Sequence, residues 1–432
     1  MTGTNPEHAG NTEHSGNTAV GLFGAVPAAV AQLRDVATVR RRCAEVLAYV
    51  RDGNSALFRL EEGRAADVAD RIAAVTRARF PDLAVPYHSR WRHFEAGGVD
   101  RTAEVDKAVP GQDGPSRARA RIELALVSVL LDAGAGPDWR YREAATGLTL
   151  TRSEGLGVAS FRAFLAGAFS SDAHDPCRVD ARALAGLDAA RLAEIFQVDE
   201  GNPLVGLEGR ASLLRRLAEA LRAHPRVFGP DGRPGLLFDA LTADQNPAAP
   251  AILRAMLDAF SPIWPSGQSI EADGLSWPVG DVWLHPTGRL PFHKLSQWLT
   301  YSLVEPFEWA GVPVTGLEDL TGLPEYRNGG LLLDAGLIVP RAADWASRPV
   351  EPGDPWVVEW RALIVALLDE LAPPVRERLA AGQPAAVAAR ARSLPLACLL
   401  EGGSWAAGRQ IAAERRPGGA PPVTVVSDGT VF

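Results

Sequence analysis

"SRARARIELALVSVLLDAG", residues 116–134, decides the fold. From Ile122 to Leu131 the run is apolar on almost every side. A helix of that kind must be covered by other elements all round. It is also shorter than the roughly 18–20 apolar residues needed to cross a bilayer. The stretch therefore predicts a central buried helix, with Ser116 as its cap and Gly134 as its stop. The rest of the chain has to wrap around it.

The flanking sequence is written in the same period. "AVAQLRDVATVRRRCAEVLAYVRDG" and "AADVADRIAAVTRARF" place apolar residues three and four apart, and the first closes on Asp52–Gly53, a helix stop. "ASLLRRLAEALRAH", "AAPAILRAMLDAF", "FHKLSQWLTYSLVEPF", "WVVEWRALIVALLDELA" and "PAAVAARARSLPLACLL" continue the pattern. Strand signals are short: "GLTLT", "DVWLH", "GLLLDAG" and the terminal "PVTVVSDGTVF". No internal repeat of about 20–50 residues and no long low-complexity linker divides the chain. The expectation is a mostly α protein with small β hairpins. Residues 1–20 have the composition of a disordered tail, and residues 21–432 read as a single mainly helical domain.

Bulk properties narrow the function classes. With 44 Lys+Arg against 52 Asp+Glu the formal charge is −8, which argues against a general nucleic-acid binder and leaves room for a small phosphorylated ligand. Cys43, Cys177 and Cys398 lie far apart, so neither a disulfide framework nor a thiolate metal site is suggested. The polar N-terminus lacks the pattern of a signal peptide, and no membrane span is expected. A cytoplasmic location is the expectation.

Two common chemistries find no support. There is no HExxH. The pairs His88/His93 and His285/His293 are five and eight residues apart, and structural roles fit them better than metal ligation. GxxxxGK[ST] and a GxGxxG after a clear strand are both absent, so neither a P-loop nor a dinucleotide fold is expected. No metal and no cofactor is expected.

What remains is a set of segments dense in aromatic, basic and acidic side chains. "PYHSRWRHFEAGG" holds Arg90 beside Trp91, and "GPDWRYRE" gives Asp138, Trp139, Arg140 and Tyr141. "RSEGLGVASFRAFLAGAFSSD" opens on Ser153 and ends near Ser170 and Ser171. His293 and Lys294 stand at a helix start, and "TGLPEYRNGG" contains Glu325, Tyr326 and Arg327. Each has a structural explanation, a stacked corner or a buried ion pair. Together they suit a pocket for a phosphorylated, partly planar small molecule: arginine for phosphate, Trp or Tyr as a flat wall, helix N–H groups for an anion.

These same blocks, with "LLDAGAGPDWRYRE" and "VVEWRALIV", resemble the uracil-catabolism protein family of the fungal and bacterial pyrimidine-degradation route. That family works beside a paralogue of GTP cyclohydrolase II. A more distant similarity, over about residues 290–370, is to the queuosine-salvage glycosidase family with its helical DNA-glycosylase-like fold. There a basic helix start, an Ala-Asp-Tyr-Arg turn and a Glu-x-Arg helix follow one another. Here Lys294 and Gln297, then Glu325–Tyr326–Arg327, then Glu359 and Arg361 stand in that order. Glu325 replaces the aspartate, one methylene longer.

The resemblance implies an N-ribosyl hydrolase in uracil catabolism, acting on a ring-opened uridine 5′-phosphate product that resembles ribosylurea 5-phosphate. It implies functional coupling to the cyclohydrolase-like ring-opening enzyme. Carried over residue by residue, it makes Glu325 the catalytic carboxylate and Lys294 its partner. Asp138, Trp139, Arg140, Tyr141, Tyr326, Arg327, His293, Arg90, Ser170 and Ser171 become candidates for binding substrate. Three other readings stay open: an amidohydrolase or lyase on the same intermediate, a non-catalytic sensor or scaffold for the ring-opening enzyme, and a nucleic-acid base excision enzyme.

Overall fold

In the computed structural model the described residues are 22–109, 113–244, 246–264, 268–347 and 349–426. The expected tail at 1–20 and the last residues of the terminal strand signal, 427–432, lie outside them. The helices that build the core and the candidate site are, in chain order, α1 (Val36–Arg51), α2 (Ala65–Arg79), α3 (Trp91–Phe94), α4 (Gly114–Leu130), α5 (Arg152–Leu165), α6 (Leu207–Ala223), α7 (Ala249–Phe260), α8 (Lys294–Trp309), α9 (Tyr326–Asp334), α10 (Pro355–Ala380) and α11 (Trp405–Arg415). The strands are β1 (Phe58–Leu60), β2 (Tyr141–Arg142), β3 (Thr149–Leu150), β4 (Gln268–Ala272), β5 (Leu275–Gly280), β6 (Val282–His285), β7 (Gly288–Pro291) and β8 (Ile338–Pro340). The fold is mostly α with small two-stranded antiparallel sheets.

Helix α4 is the buried centre that its sequence requires, with every residue from Ala120 to Leu130 covered. It packs along α8 on one side and α5 on another. Its cap differs from expectation. Asp113 accepts the Ser116 N–H at 2.7 Å, and Pro115 stands in the first turn, so Ser116 is a donor to the cap. The one acid in its buried stretch, Glu123, is satisfied by Arg233 at 3.1 Å and by the Val179 N–H at 3.0 Å. Helix α10, equally apolar through Leu368, lies across α1 and α2, and α7 packs on α8. One continuous apolar core joins residues from Val36 to Val423.

Two further sequence expectations change, and one hairpin lies outside them. The first long periodic segment is broken at Arg34, and Asp35 caps α1 by accepting from Ala37 N. "GLLLDAG" is the end of α9 and its exit turn, not a strand. An apolar run of that length fits either element, and the cap at Glu325 settles it as helix. The β4–β5 hairpin escaped notice although Asp273–Gly274 is a turn signal of the strongest kind; both residues take left-handed φ, 52° and 74°. The "GLTLT" and "DVWLH" signals correspond to β3 and β6, each half of a hairpin.

Helices α9 and α11 cross very closely at Gly408. A Cβ there would fall 2.1 Å from the carbonyl oxygen of Arg327, a backbone atom that cannot step aside alone. Gly408→Ala is therefore expected to lower stability by about 1–3 kcal/mol, the usual cost of overpacking. Denaturant unfolding would show it, and an unchanged midpoint would contradict the crossing. The three cysteines are all buried, and burial pushes their thiols up, Cys398 to about 12. Among the described residues no helix is long and apolar enough to cross a membrane.

Candidate active site

The "LPEYRN" turn is a helix start built around a carboxylate. Glu325 has extended backbone, consistent with its place beside Pro324, and forms the N-cap of α9. Its Oε2 accepts the Arg327 N–H at 2.7 Å and its Oε1 the Asn328 N–H at 2.5 Å. Glutamate is not one of the usual cap residues, which are Ser, Thr, Asp and Asn. The side chain is 5% exposed. Burial raises its pKa above the usual carboxylate range, although the two amide donors and the nearby Lys294 ammonium pull the other way.

Lys294 opens α8, reached through His293 in the left-handed region at φ 49°. Burial lowers the pKa of its ammonium, with Glu325 the leading opposing charge, followed by Asp132. Among the described residues that ammonium makes no hydrogen bond or ion pair. Its backbone N–H donates to Asp281 Oδ2 at 3.0 Å. Asp281 also takes a two-pronged Arg361 contact at 2.8 and 2.7 Å and the Trp283 indole N–H at 2.6 Å, which holds its carboxylate well below the ordinary range despite burial. A small pocket of about 10 Å³ lies here, lined by Trp264, Asp281, His293, Lys294, Ser296 and Arg361 among others. A roomier depression of about 640 Å³, near Glu61, Arg64, Asp67 and Arg415, is an open surface feature lined by none of these groups.

The other wall comes from α3 and α8. Arg90, fully buried, donates from Nε to Ser128 Oγ at 2.6 Å, and its guanidinium carbon lies 5.6 Å from the Trp298 ring. His93 meets the same indole edge-on at 5.7 Å. Gly157 of α5 lets them sit there, since a Cβ on it would come within 3.0 Å of His93 and 3.3 Å of Arg90. Burial first, and then Arg90, hold His93 at about 4, so the ring is neutral. Lys294 and Trp298 are four residues apart on α8 and so share a face.

A π-helical turn, Leu400–Ser404, supports the site from behind. Such turns recur at functional sites. Its Glu401 binds His88 Nδ1 at 2.8 Å and Arg79 at 2.9 Å, while Ser404 Oγ donates to Asn328 Oδ1 at 2.8 Å. His88 is in turn among the charges felt by Glu325.

Not every candidate joins this place. His293 and Lys294 line the pocket, Glu325 and Tyr326 share the electrostatic surroundings of Lys294 and Asp132, and Arg90 joins through Trp298, one turn along α8 from Lys294. Arg327 stacks on Tyr326 at 4.9 Å and donates to the Gly419 carbonyl at 2.9 Å, an anchoring role. Asp138 and Arg140 are exposed; Arg140 is tied through its N–H to Asn202 and through Nη1 to the Asp138 carbonyl. Trp139 is wholly buried against Phe196, whose carbonyl takes its indole N–H at 2.9 Å, and Tyr141 pairs in the β2–β3 hairpin. Ser170 Oγ donates to the Asp175 carbonyl and the Ser171 N–H to Asp180, both within the loop that follows α5. No hydrogen bond or ring contact among the described residues brings these six to Glu325 or Lys294. Gly329 and Gly330, which close the stretch "TGLPEYRNGG", lie inside α9. A Cβ at Gly329 would fall 2.4 Å from Trp360 and Ile364, so packing against α10 is what demands the glycine. Asp132, His93 and Trp298 were not singled out as site residues; the clue was their presence in the same aromatic and acidic blocks. Among the described residues no group of His, Cys, Asp and Glu could hold a metal ion.

Comparison with known proteins agrees over nearly the whole chain. A family model described as "Protein of unknown function (DUF1688)" matches residues 32–432. "Uracil catabolism protein 4" of Lachancea kluyveri is 36% identical, the match covering 93% of this chain and 99% of that protein. "Protein urg3" of Schizosaccharomyces pombe is 39% identical, again over 93% and 99%.

Proposed function

The chain belongs to this family of uracil-catabolism proteins, and on that premise we propose that it acts in uracil catabolism as an N-ribosyl hydrolase. Its substrate is a ring-opened uridine 5′-phosphate product of the ribosylurea 5-phosphate kind. One observation carries the reading: a buried carboxylate, Glu325, is held on two helix N–H groups, within the electrostatic reach of the Lys294 ammonium.

The chemistry needs little more. Cleavage of the C1′–N bond passes through an oxocarbenium-like state, which a fixed carboxylate stabilises while it takes a proton from the attacking water. Water oxygen bonds to C1′, the leaving ureido nitrogen receives a proton, and ribose 5-phosphate and urea separate. Lys294 keeps Glu325 ionised. The start of α8, where Lys294 and Ser296 line the pocket, gives the phosphate end a positive field.

Incubation with ribosylurea 5-phosphate is expected to give ribose 5-phosphate and urea in equal amounts. Binding without turnover would favour a sensor or scaffold of the ring-opening enzyme, and ammonia with an intact ribosyl bond would favour an amidohydrolase. The pH profile is a second check. Glu325 must be ionised and its carboxyl is raised by burial, so kcat/KM should fall on the acid side above the ordinary glutamate value of about 4.3. The Lys294 ammonium is lowered, so the alkaline limb should begin below its ordinary value of about 10.4. A rate still undiminished at about pH 4.3 would contradict the assignment of Glu325.

A further inference from the structure

On the Lys294 and Trp298 face of α8 lies a set of buried polar atoms whose hydrogen-bonding capacity is unused. Arg90 Nη2, His93 Nδ1, Trp298 Nε1 and Asp132 Oδ1 are all out of solvent, and none makes a hydrogen bond. Native interiors pair nearly all such groups, and an unpaired one is costly to bury. Four together in one place call for a shared partner. They are together: Arg90 and His93 both rest on the Trp298 indole, and Arg90 Nη1 stands 3.0 Å from Asp132 Oδ1. That contact satisfies charge but not hydrogen-bond direction, which leaves the oxygen free to accept from elsewhere.

The set is also rigid. Asp132 follows the last turn of α4, whose terminal carbonyls are gathered by the buried Arg210: Leu131 O at 3.0 Å, Ala133 O at 2.6 Å. Arg90 is fixed by Ser128, which itself bonds Ser160 at 2.6 Å. A site whose supports are this well satisfied while its facing atoms are not has the form of a preorganised binding surface.

Its chemistry selects the ligand. Arg90 and Asp132 cancel in charge, so the patch has no excess positive field for a phosphate. It offers donors (a guanidinium N–H and an indole N–H) next to one strong acceptor, against aromatic walls. A flat neutral group with both N–H and C=O answers all of these. Resting on the hydrolase reading above, we propose that Asp132, Arg90 and Trp298 seat the ureido end of the substrate: Asp132 Oδ1 accepts the ureido N–H, and Arg90 Nη2 and the Trp298 indole N–H donate to its carbonyl. The role once expected of Asp138 thus falls to another aspartate, six residues earlier, at the end of the central helix.

The test is calorimetric titration of the full chain with two probes, ribosylurea 5-phosphate and ribose 5-phosphate, the second lacking the ureido group. Asp132→Asn is expected to weaken the first by about 10–100-fold, as loss of a charge-assisted bond does, and to leave the second within about twofold. Equal weakening of both probes, or of neither, overturns the proposal. Trp298→Phe removes one N–H and part of the ring, a packing loss that both probes share, and must show the same selectivity, which covers the case in which Asp132→Asn does not fold. The two readings fail separately. Selective loss without any ribose 5-phosphate release by the parent keeps the ureido seat and sinks the hydrolase; release by the parent without selective loss does the reverse.

Discussion

Glu325→Gln is expected to cut ribose 5-phosphate release by a factor of about 10²–10³, the loss seen when one preorganised charge-stabilising group is removed from a transition state. The substitution keeps shape and keeps an amide oxygen that can accept one of the two N–H bonds now held at 2.7 and 2.5 Å. It removes the negative charge and the basic site. Binding of substrate should survive, because the loss is confined to the transition state and appears in kcat rather than KM. Stability should change by no more than about 1 kcal/mol, the value of an N-cap. A second variant separates capping from chemistry. Glu325→Ser restores a favoured cap residue to α9, so it should unfold near the parent and remain inactive. Activity in either variant would reduce Glu325 to a structural cap.

The second large effect is on stability. Glu143→Ala is expected to cost about 3–5 kcal/mol, the penalty for stranding a buried charge. Arg101 and Glu143 are both covered, 0% and 1% exposed, and meet through two prongs at 2.9 and 2.5 Å. Arg162 adds a third contact at 2.6 Å. The same Arg101 binds the carbonyls of Phe94 and Ala96 at 2.8 and 2.9 Å, so it fastens the end of α3, and with it Arg90 and His93, to the β2–β3 hairpin. Burial would raise the Glu143 carboxyl, but the bonds from Arg101, Thr146 and Arg162 prevail and bring it to about 2. A folded pKa depressed below the unfolded value of about 4.3 gives stability that is full above that pH. It drains away as the pH falls toward about 2. Urea unfolding at neutral pH should show the loss in Glu143→Ala, and the gap between variant and parent should narrow in acid. A midpoint unchanged at neutral pH would contradict the clamp.

How much of this was open to sequence reading depends on the range of the interaction concerned. The centre of the fold was readable because Ile122–Leu131 is apolar in almost every direction, a property of a few consecutive side chains. The turn at Glu325 was readable for the same reason: proline, acid and aromatic stand next to one another and act on adjacent backbone. Asp132 was not, because its importance lies in standing 3.0 Å from Arg90, whose place is set by Ser128 and Trp298 on two other helices. By the local rule Asp138, beside a tryptophan and two arginines, was the better candidate, yet the chain folds that tryptophan inward onto Phe196. Gly329 is equally illegible, since a glycine demanded by a neighbouring helix looks in sequence like one demanded by a turn.

The burial of all three cysteines has a practical side. Thiolate is the reactive form, and thiols held this far from ionisation inside the core do not answer to alkylating reagents while the fold is intact. The natural chain is therefore a silent background for labelling. A single cysteine placed at the exposed Arg140, or beside the pocket at the half-buried Trp264, would carry one fluorophore or spin label per molecule without removal of any native cysteine. Ligand titrations could then be followed by light or by resonance at a chosen point on the surface.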